Sequence, residues 1–165
     1  MIFNNRIKEI CKNHKKVALF VDMDGTIVEY NVYPEGYITN QVKDIFLKAN
    51  PIKVVLDKLK EVGKIENLDI YILSLAKSNK IIEEKKAWLK RFAPFINEEK
   101  YIILCKENLE YNPENRKYVK GKKMKEMLDK YDYVMLLDDE HNILKETQKE
   151  LKENGEVFHV SSAII

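Results

Sequence analysis

The chain has 165 residues, the size of one domain, and 45% of them are hydrophobic and 10% aromatic. This excludes a disordered polypeptide and allows a core that needs no staples. Twenty-nine Lys and Arg against 27 Asp and Glu leave a formal charge of +2, and only two cysteines are present. The balance gives no electrostatic case for a nucleic-acid or anionic-membrane partner, and Cys11 and Cys105 are too few for a disulfide framework or a zinc site.

Apolar periodicity alternates between helix-like and strand-like segments. Phe3, Ile7, Ile10, Cys11 and His14 fall at helical spacing, within an N-terminal stretch that is charged throughout and has no signal-peptide core. No apolar run approaches the roughly 18 residues of a membrane span, so a cytoplasmic protein is expected. Val17–Val21 is a continuous apolar run and reads as a buried strand. Val42, Ile45, Phe46 and Ala49 predict a short helix behind Thr39 as N-cap. Pro51 suits the first turn of a further helix whose face is Val55, Leu56, Leu59 and Val62, with Gly63 as its stop. Beyond it the pattern predicts a strand over 68–75, a helix over 81–92 and a short strand over 101–105. It then predicts a helix over 124–131, a strand over 133–137, a helix over 143–151 closed by Asn154-Gly155, and a strand over 157–160. Continuous apolar strands alternating with helices predict an α/β protein with a parallel sheet covered on both faces. In such sheets ligands bind beyond the carboxyl ends of the strands, near a topological switch point.

The strand ends hold the acids. Val17–Val21 runs into Asp22-Met23-Asp24-Gly25-Thr26, and Tyr133–Leu137 runs into Asp138-Asp139-Glu140. Two acidic pairs at one mouth repel, and a divalent cation relieves them. Carboxylate oxygens are hard ligands suited to Mg²⁺. Ser74 ends a third apolar strand, and Lys117, Lys120, Lys122 and Lys123 precede the helix before the second acidic strand. One of these lysines can reach back to the mouth. The simpler alternatives are an acidic turn, a loop serine and a solvated helix start. Trp88 reads as core, and His14, His141 and His159 show no metal-ligand spacing.

In this order and over about Lys16 to Val160, these residues resemble the haloacid dehalogenase (HAD) superfamily of phosphohydrolases. Asp22-Met23-Asp24-Gly25-Thr26 resembles its first motif, Ser74 after Tyr71-Ile72-Leu73 its second, Lys120-Gly121 its third and Asp138-Asp139 its fourth. The chain looks most like the 5'(3')-deoxyribonucleotidase-like branch, on Asp22–Gly25, Lys86-Ala87-Trp88-Leu89 and Leu136–Asp139 with Asn142. It departs from that branch at Thr26, where Val is frequent, at Ser74-Leu75-Ala76 in place of a Thr-Ser-Pro type stretch, and in a short insert.

The resemblance implies a Rossmann-like three-layer α/β/α sandwich: a single domain over 1–165 with a small cap insert at 27–50. It implies that Asp22 is a nucleophile forming an aspartyl-phosphate and that Asp24 is the general acid and base. It implies that Thr26, Ser74 and Lys120 bind the substrate phosphoryl group, with Lys123 and then Lys122 as alternatives to Lys120. Mg²⁺ would be held by the Asp22 and Asp138 side chains and the Asp24 main-chain carbonyl, and Asp139 would bind metal-bound water or orient the lysine. The implied substrate is a small phosphomonoester, a nucleotide first, with Tyr30, Tyr33, Tyr37 and Phe46 of the cap available to stack a base. The alternatives are a phosphatase of sugar phosphates or other small metabolites, or a non-enzymatic phosphate-binding or phospho-acceptor module. A receiver domain would end its middle strand in an acid, whereas Tyr101–Leu104 leads to Cys105-Lys106.

Overall fold

All five residues of β1 (Val17–Val21) are buried, because the strand is central and is covered on both faces. The computed structural model describes residues 2–30 and 46–165. Beside β1 it contains β2 (Leu68–Ala76), β3 (Tyr101–Cys105), β4 (Tyr133–Asp138) and β5 (Gly155–His159). They form one sheet in the order β3-β2-β1-β4-β5, and every pairing is parallel. The helices are α1 (Ile2–Asn13), α2 (Lys53–Val62), α3 (Asn79–Phe92), α4 (Arg116–Glu126), α5 (His141–Leu151) and α6 (Ser161–Ile164).

Side-chain alternation along β1 divides the core in two. Val17, Leu19 and Val21 join a cluster with Phe3 and Ile7 of α1, Leu59 of α2 and Trp88 of α3. Ala18 and Phe20 join Met124 of α4 and Ile143 and Leu144 of α5 on the other face. This is the expected three-layer α/β/α sandwich, with a sheet that is parallel throughout. The chain runs from β1 outward to β3 and then returns to place β4 against the other side of β1. The topological switch point therefore lies between the ends of β1 and β4, which carry Asp22 and Asp138. The third strand in sequence, β3, is an edge strand rather than the middle one.

Two predicted boundaries shift for physical reasons. The helix expected over 124–131 begins eight residues earlier, at Arg116, and ends in a 3₁₀ turn over Met127–Asp129. Its first turns lack an apolar stripe because the buried positions there are Lys120 and Gly121. Pro51 is not in the first turn of α2. It pairs with Val28 in an isolated antiparallel bridge, and the helix begins at Lys53. The helix expected over 42–49 falls largely outside the described residues, although Phe46–Lys48 is a turn. Most of the cap predicted at 27–50, including Tyr33 and Tyr37, also lies outside them. Its two stems pair: Glu29 N donates to Asn50 O at 2.9 Å and Ile52 N to Ile27 O at 2.7 Å.

Gly121 permits the close crossing of α4 and α5, since a Cβ there would lie 3.1 Å from the Thr147 Cα. Backbone on the facing helix cannot yield as a side-chain tip can. Gly121→Val is expected to cost about 2 kcal/mol by overpacking, with Gly121→Ala costing less. Denaturant unfolding of the two variants checks this, and a valine variant as stable as the parent would contradict it.

Candidate active site

The strand ends bring the predicted acids together. Asp22 follows β1 and is tied by its N–H to Leu137 O of β4 at 3.0 Å. The next turn folds tightly back: Thr26, Ile27 and Val28 all donate from their N–H groups to Met23 O at 3.0 Å. Gly25 makes this possible with φ +76°, and a side chain there would run into Tyr30 and Asp139. The buried Thr26 hydroxyl donates to Asp22 Oδ2 at 3.2 Å, so its described partner is the candidate nucleophile.

Lys120 is the lysine that reaches the acids. Its Nζ donates to Asp22 Oδ1 at 2.7 Å and to Asp138 Oδ2 at 2.6 Å, with its side chain 2% exposed. Of the two alternatives, Lys123 pairs with Glu126 at 3.5 Å. Lys122 and Lys123 both line a separate recess beside Leu104 and Glu110. Burial works against the charge on Lys120, but the two carboxylates outweigh it and hold its pKa above the ordinary lysine value. Asp138 is fully buried and also accepts from Glu140 N at 2.9 Å. Burial, and then the charge of Asp22, push its carboxyl up to about 7 despite Lys120.

Asp139 faces the same centre. Oxygens of Asp22, Asp138 and Asp139 all lie within 4.8 Å of one another. Asp139 Oδ1 is buried with no hydrogen-bond partner among the described residues. An orphaned carboxylate oxygen beside two further carboxylates fits a hard divalent cation. No hydrogen bond among the described residues links Asp139 to Lys120. Its carbonyl oxygen instead meets His159 Nε2 at 3.1 Å, and His159 stacks on His141 with ring centroids 4.5 Å apart.

The acids open on a cavity of about 180 Å³ lined by Asp22, Asp24, Tyr30, Arg116, Lys120 and Glu140, among others. Arg116 grips Glu140 with both terminal nitrogens, at 2.6 and 2.5 Å. These bonds hold the Glu140 carboxyl below its usual range. A larger recess of about 330 Å³, between Lys60, Phe95 and Lys100, lies at the opposite end of the strands.

Sequence reasoning missed two parts of this site. One is the Arg116–Glu140 pair, which sequence spacing does not announce. The other is Lys85 on α3, whose Nζ donates to Asp24 Oδ2 at 2.8 Å, to Ser74 Oγ at 2.7 Å and to Leu75 O at 2.8 Å. Its signal is legible: Lys85 stands four residues after Ile81 and three before Trp88, a charge on the apolar stripe of its helix. Ser74 itself is fully buried and does not line the cavity, whereas its neighbour Leu75 does. Trp88 is core, as its spacing predicts, and its Nε1 donates to Ala49 O at 3.0 Å.

No protein-family model matches the chain, and no curated protein matches it. Solved structures do. The HAD domain of the effector protein Lem4 from Legionella pneumophila superposes with a TM-score of 0.54 at 18% identity, over 88% of this chain and 87% of that chain. The class C acid phosphatase from Bacillus anthracis, with tungstate bound, superposes with a TM-score of 0.59 at 17% identity, over 98% of this chain and 76% of that chain. The fold is therefore HAD-like, as the resemblance implied.

Between pH 3.8 and about 7 the folded chain holds the Asp138 proton more tightly than the unfolded chain does. The stability this proton contributes is complete below the lower value and lost as pH rises through the upper one. With chelator present, Asp138→Asn is expected to gain thermal stability relative to the parent as pH rises from about 5 to about 8. Melting curves across that range check the sign, and a parallel pH dependence for the two proteins would contradict it.

Proposed function

We propose that this chain is a phosphomonoester hydrolase that works through an aspartyl-phosphate on Asp22. The observation that supports it most is the pair of buried carboxylates, Asp22 and Asp138, set on adjacent parallel strands and bridged by the buried Lys120. A purely structural role would not favour it, because buried charge is costly. Phosphoryl transfer needs fixed charge and in-line positioning, which this arrangement supplies.

In the first step an Asp22 carboxylate oxygen adds to phosphorus, the ester P–O bond breaks, and the departing oxygen takes its electron pair and a proton from Asp24. In the second step Asp24, now a carboxylate, takes a proton from water. The water oxygen adds to phosphorus as the bond to Asp22 breaks, returning the Asp22 carboxylate and free phosphate. Lys120 anchors Asp22 by one oxygen and offers its charge to the phosphoryl group. Thr26 anchors the other oxygen of Asp22. Ser74 supplies a hydroxyl beside the same mouth. Asp22, Asp138 and Asp139 would hold Mg²⁺, with the Asp24 main-chain carbonyl as a further ligand. When bound, the cation screens the approach of an anionic phosphate to an anionic carboxylate.

Within this class we favour nucleoside monophosphates. The support is Tyr30, whose ring lines the cavity and remains 57% exposed, a face on which a base can stack. The short cap at 27–50 is part of the same reading.

Two measurements test it. Phosphate release from a panel of nucleoside and sugar monophosphates is expected to require Mg²⁺, to concentrate on nucleotides, and to vanish in Asp22→Asn without loss of fold. Release spread over the sugars would remove the nucleotide preference alone, whereas release retained by Asp22→Asn would remove the mechanism. Independently of turnover, millimolar Mg²⁺ is expected to raise the melting temperature of the parent near pH 8 and to do so much less in Asp138→Asn. An equal rise in both proteins would exclude Asp138 as a ligand.

A further inference from the structure

The phosphoryl-transfer scheme gives Lys85 no task, yet Lys85 is the second fully buried lysine of the described chain. Its side chain is 2% exposed and belongs to α3, beyond the strand that ends near Ser74. An ammonium has three N–H donors and no acceptor. Here all three are spent, on Asp24 Oδ2, Ser74 Oγ and Leu75 O. Nζ also lies 5.1 Å from the centre of the Phe46 ring. A charge so completely satisfied holds its partners as firmly as they hold it.

The consequence for Asp24 is a division of labour between its two oxygens. Oδ2 is committed to Lys85, and no hydrogen bond among the described residues reaches Oδ1. The side chain is 44% exposed and lines the cavity with Asp22 and Lys120. Lys85 needs Oδ2 as an acceptor, and a carboxyl's carbonyl oxygen accepts better than its hydroxyl oxygen, so the contact favours Oδ1 as the proton-bearing oxygen. Ser74 Oγ must likewise act as acceptor, because Lys85 has only donors, and its own hydrogen is left for another acceptor.

We propose that Lys85 is a positioning residue for Asp24: it clamps Oδ2 to the end of β2 and leaves Oδ1 as the oxygen that hands a proton to the leaving group. This rests on the phosphohydrolase reading above. As the ester P–O bond breaks, its electron pair stays on the departing oxygen and the Oδ1 proton joins it. Without the clamp the Asp24 carboxyl rotates at the cavity rim and the proton is misplaced.

Leaving groups that differ in their need for that proton separate this role from general damage. 4-Nitrophenolate departs readily unprotonated. Phenolate, with a pKa of about 10 as in tyrosine, gains much more from a proton. The kcat/KM for each ester covers steps only up to loss of the phenol, so hydrolysis of the aspartyl-phosphate does not enter. Lys85→Met keeps the volume and removes the clamp. It is expected to lower kcat/KM for phenyl phosphate at least about tenfold more than for 4-nitrophenyl phosphate. Lys85→Arg, which keeps the charge and donors, is expected to restore the ratio to within about threefold of the parent. In an Asp24→Asn background, Lys85→Met should leave the ratio unchanged.

An equal fall on both esters, as lost phosphate binding or a disturbed core would give, overturns the role of Lys85 while leaving the parent reading intact. A parent protein that cleaves neither these esters nor any nucleoside or sugar monophosphate overturns both. Should the methionine variant not fold, Lys85→Gln removes the charge and shortens the reach, and its two kcat/KM values are read in the same way.

Discussion

The buried ammonium of Lys120 is the constraint on which the rest of the site depends. It sits between Asp22 and Asp138, on two neighbouring strands, and bonds both at 2.6–2.7 Å. Neither carboxylate is affordable there alone, and the lysine would be equally costly without them. The sheet therefore has to set β1 directly against β4, and α4 has to lie close enough for a lysine to reach both strand ends. Gly121, next to Lys120, gives α4 that proximity by letting it press against α5. The fold and the charge cluster impose the same geometry from opposite directions.

A second lysine repeats the device on the neighbouring side of β1. Lys85 joins Asp24 to the end of β2 as Lys120 joins Asp22 to the end of β4. The two acids of the Asp22-Met23-Asp24 stretch are thus drawn apart, each toward its own cation, while Met23 between them is buried in the core. Successive side chains leaving a strand point in alternating directions, so residues two apart share a face. Separate partners are what keep two like charges on that face from competing for one position. Among the described residues Asp139 Oδ1 is left unpaired after the bonds of Lys120 and Asp138 are made, an acceptor of the kind a hard cation takes.

Much of this was legible in the residues, for definable reasons. β1 and β4 are unbroken apolar runs, so their boundaries and the acids just beyond them followed from burial alone. Lys120 could be preferred over Lys122 and Lys123 only by resemblance. Its selection in the structure comes from helix phase, which turns Lys120, Gly121 and Met124 inward and the other two lysines outward. The same phase hid the first half of α4, because a buried lysine and a glycine do not register as an apolar stripe. Lys85 was passed over, although its place on the apolar stripe of α3 marks it as inward. A charged residue at an inward position of α3 lowers the apparent periodicity although it is itself fully packed. The partnership of Arg116 in α4 with Glu140, just ahead of α5, spans 24 residues, and no local pattern encodes it. Pro51 misled in the opposite way: its fixed φ suits the first turn of a helix and the end of a short bridge equally well.

The paired stems at Ile27–Ile52 and Glu29–Asn50 have a consequence of their own. They bring the chain back to the point where it left the sheet, so the intervening segment closes a loop whose two anchors are already fixed by the core. Loop-closure entropy grows only with the logarithm of length, at about 0.6 kcal/mol per doubling. Segments of very different size could thus be exchanged between these anchors with little effect on folding. The stretch between these anchors can change independently of the acids, and the stems make this protein a natural host for grafted recognition loops.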